Sequence, residues 1–338
     1  MQRILVVKTS SMGDVIHALP ALTDAGRMLN PIQFDWVVEE NFKEIPMWHP
    51  LVERIIPVAL RRWRKAPFAA ATRQEWKQFR QALRLQHYDY VIDAQGLVKS
   101  AIVTRLADGE RCGYDWQSAR EPLASCLYQR RIRVSKQQHA VTRVRELFAR
   151  VLGYELPTDL PDYGIANPIA LDPSQKPIIL FIHGTTWASK LWPQAYWIAL
   201  AQLANQQGYQ VQLPWGNSVE QQRATEIASQ CEDAVILPRL NLSELRDKLL
   251  SVKAAVAVDT GLGHMAAALA VPTLSLYGPT DPQKVGTLGK AQQQLAMSFG
   301  CVPCRQTTCH YQSDATISPA CYQDKPPLIV WEKLREML

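Results

Sequence analysis

Short apolar runs alternate with longer amphipathic stretches in the first half of the chain. The runs are RILVV (3–7), FDWVV (34–38), VERIIPV (52–58) and YDYVIDA (88–94). Helices are expected over about 14–29 and within GLVKSAIVTRLA (96–107). Apolar strands that alternate with helices are typical of a parallel sheet with helices on its faces. The pattern therefore predicts a domain of the α/β class.

A second series of the same kind follows a proline-rich stretch. Five prolines, Pro168 among them, lie between 157 and 177 without sustained periodicity, which is typical of a connection between domains. The strands predicted after it are PIILFIH (177–183), YQVQLPW (209–215), AVILP (234–238), AAVAVD (254–259) and PTLSLYG (272–278). Helices are expected over 193–207, 218–230, 243–250 and from 262. A last helix is expected in LIVWEKLREML, and it could pack on either domain. Two Rossmann-like, doubly wound domains, 1–165 and 166–338, are expected to face a central cleft.

Composition fits this organisation. The 338 residues suit two domains of ordinary size, and 47% apolar with 20% charged residues is globular composition. No apolar run reaches the roughly 18 residues of a membrane-spanning helix. The first residues, MQRILVV, lack the features of a signal peptide. A cytoplasmic protein is therefore expected.

The net charge of +6 comes entirely from the first domain. Residues 1–165 hold 24 basic and 18 acidic side chains, whereas 166–338 hold 13 of each. Residues 60–84 alone carry eight basic side chains and one acid. A solvated helix face is one interpretation, but the crowding around Trp63 favours a patch for phosphate, carboxylate or an anionic membrane surface. Nucleic acid is not an expected partner, because no base-reading motif accompanies the charge.

The first strand runs into the polar segment KTSSMGD (8–14). Gly13 allows close approach of the backbone, and Asp14 in the first turn of a helix is favoured electrostatically and stays ionised. An ionised carboxylate is what a general base needs in order to take a proton from a hydroxyl. Helix capping by the same side chains is the alternative interpretation.

A second polar segment, DTGLGHMAAALAVP (259–272), also follows a predicted strand. Its glycines let backbone N–H groups approach a ligand, and the helix N-terminus favours negative charge. This predicts a diphosphate cradle, with a bare loop-to-helix turn as the alternative. Thr280 and Asp281 in YGPTDP (277–282) are expected to line the same pocket. A dehydrogenase is not expected, since no GxGxxG follows any strand.

Two further segments fit a nucleotide sugar. Thr185, Thr186 and Lys190 supply hydroxyls and an ammonium suited to a pyrophosphate. Glu220 is placed to accept hydrogen bonds from a ribose, with a surface glutamate as the alternative.

Four of the seven cysteines lie near the C-terminus with the spacing C-x2-C-x4-C-x11-C, namely Cys301, Cys304, Cys309 and Cys321. Such spacing occurs in structural zinc sites. An odd total argues against a disulfide framework. Free thiols beneath a loop are the favoured interpretation and structural zinc is the alternative.

Several motifs together resemble the lipopolysaccharide heptosyltransferases of glycosyltransferase family 9, from residue 4 to about 290. They are KTSSMGDVIHALPAL, DWVVEE, IPVALRRWRK, VIDAQGLVKSA, QSAREPLAS, KQQHAVTR, LPWG, DTGLGH and YGPTDP. The resemblance implies a GT-B fold and inverting transfer of heptose from ADP-heptose to a Kdo residue of Kdo-lipid A. It also implies a metal-independent reaction without a cofactor, at the cytoplasmic face of the bacterial inner membrane.

The resemblance assigns roles by position. Asp14 matches the proposed base, and Lys190 matches a donor-binding position. Because charge on the leaving ADP develops in the transition state, Lys190 is also expected to matter for the rate. The donor-binding positions are Thr185, Thr186, Lys190, Glu220, Leu240, Asp259, Thr260, Gly261, Leu262, Gly263 and His264. The acceptor-binding positions are Lys8, Ser10, Ser11, Gly13, Arg61, Arg62, Arg64, Lys65 and Arg120.

Departures from the family pattern leave alternatives open. Leu240 replaces a methionine beside the adenine, and the cysteine-bearing tail differs from the enterobacterial members. The acceptor is therefore either a Kdo disaccharide or a single phosphorylated Kdo. Heptosyltransferase II and another GT-B transferase with a different acceptor are the alternative enzymes. A non-catalytic module that binds anionic lipid is the alternative from another class.

Overall fold

The computed structural model describes residues 1–167, 170, 172–311 and 315–338. The chain forms two compact units, Met1–Ile165 and Ala166–Leu338. Pro168, in the predicted connection, lies outside the described residues. In the described part of the chain, no helix combines the length and the apolar character needed to cross a bilayer.

The first unit is built on a six-stranded parallel sheet. Its strands are β1 (Gln2–Val7), β2 (Ile32–Glu39), β3 (Val52–Val58), β4 (His87–Asp93), β5 (Asp108–Tyr114) and β6 (Arg130–Ile132). Their spatial order is β3-β2-β1-β4-β5-β6. The order reverses between β1 and β4, and the carboxyl ends of strands at such a switch point are where doubly wound sheets bind ligands.

Helices connect these strands. They are α1 (Met12–Ile16), α2 (Leu19–Met28), α3 (Glu44–Met47), α4 (Leu60–Trp63), α5 (Ala70–Leu83), α6 (Val98–Leu106) and α7 (Ala140–Leu152). The single helix predicted over 14–29 is wrong, because the chain breaks between α1 and α2. Pro20 lacks the N–H that would bond to the carbonyl of Ile16, so the helix ends there and a new one starts with Pro20 in its first turn.

Buried contacts fix the helices to this sheet. The Arg145 guanidinium on α7 donates to both carboxylate oxygens of Asp24 on α2, at 2.6 and 3.3 Å. Trp63 of α4 and Phe79 of α5 pack into the cluster formed by residues of β3 and β4. The segment that carries the basic charge is therefore rigidly mounted on the sheet.

The second unit repeats the architecture. Its strands are β7 (Ile178–Ile182), β8 (Gln210–Leu213), β9 (Ala234–Ile236), β10 (Ala254–Val258), β11 (Thr273–Tyr277) and β12 (Gln292–Ala296). Its helices are α8 (Gln194–Gln206), α9 (Ser218–Ala228), α10 (Leu242–Leu250), α11 (Gly261–Ala268), α12 (Pro282–Val285) and α13 (Pro327–Arg335). The spatial order β12-β11-β10-β7-β8-β9 places the switch point between β7 and β10.

The last helix packs within the second unit. Val330, Trp331 and Leu334 of α13 join the cluster that contains Trp197 and Leu200 of α8. Burial of such large side chains is the main stabilising contribution to a core of this kind.

His49 in the first unit gives its stability a pH dependence. Its Nδ1 accepts the N–H of Leu51 at 3.2 Å, so Nε2 carries the proton and donates to Thr23 Oγ1 at 3.0 Å. Burial lowers the pKa of His49 to about 4, against an opposing effect of Asp162. The unfolded chain binds the proton near pH 6.5, so the stability that His49 contributes is lost as the pH falls from about 6.5 towards 4.

We expect His49→Gln to flatten the pH dependence of unfolding of the first unit between pH 6.5 and 4. The slope should fall by up to about 1.4 kcal/mol per pH unit. Hydrogen exchange of the β2 amides across this range measures it. His87→Gln is the matched control, because His87 is exposed. An unchanged slope in His49→Gln would contradict the assignment.

Candidate active site

Lys8 follows β1 and is buried where the first sheet changes direction. Its Nζ donates to the carbonyl of Ala94 at 2.8 Å, which ties the end of β1 to the end of β4. The same Nζ lies 3.7 Å from Asp14 Oδ1. Burial lowers the pKa of Lys8, while the carboxylates of Asp14 and Asp93 oppose that shift. A buried ammonium therefore stands behind Asp14.

Asp14 lies in the first turn of α1 and is partly open to ligands. Its Oδ2 accepts the backbone N–H and the hydroxyl of Ser11, each at 3.0 Å, and lies 3.9 Å from Nη1 of Arg120. Burial acts to raise the pKa of Asp14, but Lys8 and the Ser11 N–H outweigh it and lower the pKa to about 2. The carboxylate is therefore ionised across the whole working pH range.

Gln95 organises the loop that carries these groups. Its Oε1 accepts the N–H groups of Thr9 at 2.9 Å and Ser10 at 3.3 Å, and its Nε2 donates to the carbonyl of Ser10. Asp93 in turn accepts the N–H of Gln95 at 2.8 Å. Sequence reasoning missed Gln95 as a functional residue. The available signal was its position directly after β4, next to the end of β1 in a doubly wound sheet.

Arg62 is already engaged within the first unit. Its guanidinium donates to both carboxylate oxygens of Glu40, at 3.1 and 2.9 Å, and to Glu75 at 3.0 Å. Glu75 also accepts the indole N–H of Trp63 at 2.6 Å. Arg62 therefore orders the segment, and fewer of its N–H groups remain for an acceptor.

The other predicted acceptor residues differ in exposure. Arg61 lies over the ring of Phe42, 6.0 Å from its centroid. Arg64 and Lys65 are exposed and form no ion pair within the described ranges. Arg120 is exposed beside Asp14. Ser10 and Gly13 are buried and serve the backbone path of the loop.

Asp259 is the centre of the second polar cluster. Its buried Oδ2 accepts from Lys190 Nζ at 2.7 Å and from the Thr280 hydroxyl at 2.6 Å. Its backbone carbonyl accepts the hydroxyl of Thr185 at 3.0 Å. The loops that follow β7, β10 and β11 are thus joined at one residue. Lys190 also lies 4.4 Å from the centroid of the Trp187 ring, which is a cation–π distance.

The N-terminus of α11 lies directly after Asp259. Thr260 is the extended N-cap, and the amides of 261–263 precede the first intrahelical bond, from His264 N–H to the Thr260 carbonyl. Such unpaired amides favour an anion. A Cβ at Gly263 would lie 3.1 Å from that of Ala257, so glycine lets α11 pack closely on β10. His264 is buried, with Nε2 3.9 Å from Asp259 Oδ1.

Glu220 reaches the carboxyl ends of β7 and β8 from the first turn of α9. Its Oε2 accepts the N–H of Gly216 at 2.7 Å. A Cβ at Gly184 would lie 2.6 Å from the Glu220 carboxyl carbon, so glycine makes room for this side chain. Leu240 is half-buried after β9, and Thr186 is exposed after β7. These positions surround one edge of the second sheet.

The C-terminal cysteines are free thiols. Cys321 is buried, and burial together with the thiols of Cys301, Cys309 and Cys304 raises its pKa to about 12. The four thiols therefore influence one another, as expected for cysteines that lie near one another at the end of the chain. Among the described residues, which omit 312–314, no three His, Cys, Asp or Glu side chains are arranged to hold a metal ion.

Comparison with solved structures defines the class. Over the whole of both chains, the structure of E. coli heptosyltransferase WaaC with ADP matches with a TM-score of 0.88 and 45% identity. The same enzyme with ADP-2-deoxy-2-fluoro heptose matches with a TM-score of 0.85 and 44% identity. The chain is a glycosyltransferase of the GT-B fold, as predicted.

The particular family follows from the sequence. The model of glycosyltransferase family 9 (heptosyltransferase) matches residues 76–314, and the chain belongs to this family. Lipopolysaccharide heptosyltransferase 1 of Pseudomonas aeruginosa is 53% identical over 92% of this chain and 88% of its own. The enzyme of the same name from Escherichia coli K12 is 52% identical over 86% of this chain and 92% of its own. Lipooligosaccharide heptosyltransferase 2 of Haemophilus influenzae is 35% identical over 32% of this chain and 33% of its own.

The Lys8–Asp14 geometry makes a direct prediction. In Lys8→Met the pKa of Asp14 should rise from about 2 towards the ordinary value of about 4, because the neighbouring cation is lost. A carboxyl ¹³C titration by NMR measures this shift. Lys43→Met removes an exposed lysine of the same unit and should leave the pKa of Asp14 where it is. An Asp14 pKa of about 2 in Lys8→Met would assign the effect to the Ser11 N–H instead.

Proposed function

We propose that this heptosyltransferase is of type I. It transfers L-glycero-D-manno-heptose from ADP-heptose to a Kdo residue of Kdo-lipid A, with inversion, in assembly of the lipopolysaccharide inner core. The identity of 53% and 52% to enzymes named heptosyltransferase 1, along most of each chain, supports type I over type II. The observation that carries the donor assignment is the Lys190–Asp259 pair beside the free amides of α11.

The second unit holds the donor in this proposal. The diphosphate binds to the amides of 261–263 and to the side chains of Thr185, Thr186 and Lys190. Glu220 accepts hydrogen bonds from the ribose, and Leu240 packs against the adenine. Negative charge grows on the departing ADP as the glycosidic bond breaks, so an ammonium and a helix N-terminus at the diphosphate stabilise the transition state. Asp259 and Thr280 act as positioning residues, because they hold Lys190 in place.

Asp14 is the base in the first unit. A Kdo hydroxyl attacks the anomeric carbon on the face opposite ADP, its proton passes to Asp14, and the bond to the ADP oxygen breaks. A carboxylate with a pKa of about 2 is a weak base by itself. Proton transfer therefore accompanies formation of the new C–O bond, when the hydroxyl has become strongly acidic.

The acceptor is an anion, and the first unit carries the whole basic surplus. In this proposal Arg61, Arg64, Lys65 and Arg120 bind acceptor carboxylates and phosphates, while Arg62 holds the segment through Glu40 and Glu75. Lys8, Ser10, Ser11 and Gly13 shape the loop around Asp14. The enzyme works as a peripheral protein at the inner-membrane surface, where its lipid acceptor lies.

We expect Asp14→Asn to lower kcat by about 100-fold or more, because the variant keeps the shape of the side chain and loses the proton acceptor. ADP release from ADP-heptose, with and without a Kdo-bearing acceptor, measures the rate. Asp159→Asn, at an exposed position of the same unit, is the control. A near-normal rate in Asp14→Asn would refute the assignment of the base. The proposed function itself would be refuted if the wild-type enzyme released no ADP in response to the acceptor.

We expect Lys190→Met to lower kcat more than it raises KM for ADP-heptose, with a loss in kcat of about 100-fold. The reason is that the ammonium is needed most when charge develops on ADP. Steady-state rates at varied donor concentration separate the two constants. Lys290→Met removes an exposed lysine of the same unit as a control. An effect on KM alone would limit Lys190 to donor binding.

A further inference from the structure

Six consecutive apolar residues lie exposed after α4, from the connecting loop into the first turn of α5. This apolar loop is Ala66-Pro67-Phe68-Ala69-Ala70-Ala71, and all six residues are exposed. Phe68 at its centre is 87% exposed, more than any other large apolar side chain in the described part of the chain. Exposed apolar runs of this length are unfavourable in water unless they meet another surface.

A basic stripe adjoins the apolar loop along the outer face of α5. It consists of Arg73, Lys77, Arg80 and Arg84. Spacings of four, three and four residues place these side chains on one side of a helix, and all four are exposed. The opposite side of α5 buries Phe79 and Leu83 in the core. No acidic side chain forms an ion pair with the stripe in the first unit, all of which is described.

A cavity of about 550 Å³ lies beside the loop. Leu60, Pro67 and the rings of Trp63 and Trp76 contribute to its lining, together with the cations of Arg64 and Arg73. Apolar walls next to cations suit an amphiphile with an anionic head.

The segment is rigid enough to act as a preformed surface. Trp63 stacks edge-on against Trp76 at 5.6 Å and Phe79 at 5.8 Å between ring centroids. The Glu75 carboxylate holds both the Trp63 indole and the Arg62 guanidinium. The exposed loop therefore projects from a packed base.

We propose that the apolar loop and the basic stripe form one docking surface for an anionic phospholipid bilayer. Phe68 would enter the boundary between head groups and acyl chains, and the stripe would lie against lipid phosphates. An interfacial helix with cations on its polar face and an aromatic anchor has this composition. Nucleic acid would match the charge but would leave Phe68 in water. The apolar loop and the basic stripe contain no residue assigned to donor or acceptor binding, whereas Arg64 in the adjoining cavity is assigned to the acceptor. The docking surface therefore extends the proposed function and does not require it.

Flotation of the full chain with vesicles of phosphatidylcholine, with or without phosphatidylglycerol, tests the proposal in the absence of donor and acceptor. We expect binding to the anionic vesicles that weakens with added salt. Phe68→Ser and the double variant Arg73→Gln/Lys77→Gln should each weaken it by about tenfold or more. Leu160→Ser and Arg131→Gln/Lys290→Gln are the matched controls at exposed positions and should bind like the wild type.

Binding that is equal for all variants, or equal with neutral vesicles, would overturn the proposal. Binding that appears only when the vesicles contain lipid A would also overturn it, in favour of recognition of the acceptor alone. Phe68→Ser should keep full activity on a water-soluble, deacylated acceptor, and a loss there would place Phe68 in the active site instead. Vesicle binding without any heptose transfer would refute the proposed function and support the docking surface.

Discussion

Each unit depends on one ammonium–carboxylate pair at the point where its sheet changes direction. In the first unit Lys8 meets Asp14 beside the ends of β1 and β4, and in the second unit Lys190 meets Asp259 beside the ends of β7 and β10. A charge withdrawn from water is costly unless it is paired, so each pair holds its loops in one arrangement. The polar edge of each sheet is built around that requirement.

The more exposed member of the pair is the carboxylate in the first unit and the ammonium in the second. In the first unit the Lys8 side chain is 7% exposed and that of Asp14 is 30% exposed, whereas in the second unit Lys190 is 15% and Asp259 7% exposed. The same strand order therefore presents a carboxylate in one unit and an ammonium in the other. A carboxylate held ionised suits proton abstraction, and an ammonium beside helix amides suits an anion. One architecture thus provides two complementary kinds of chemistry.

The sequence predicted the strand–helix alternation and both polar segments because buried strands and strand-end clusters leave strong local patterns. It did not predict β5, since DGERCGY has little apolar character and is a strand only because β4 and β6 pair with it. The break after α1 was missed although Pro20 signals it. The hydrogen bonds of Gln95 to Thr9 and Ser10, and the ion pair of Lys190 with Asp259, join segments that are far apart in sequence. No local sequence pattern contains them.

The Asp259 carboxylate has a consequence for the end of the catalytic cycle. In the proposed donor site, Lys190 already has a counter-ion before any nucleotide arrives, so the diphosphate would compete with Asp259 for the same ammonium. On release of the nucleotide from that proposed site, the ammonium would pair with Asp259 again, and no unpaired charge would remain. Competition from the Asp259 carboxylate would weaken the binding of the ADP product and favour its release, which is the step that often limits turnover.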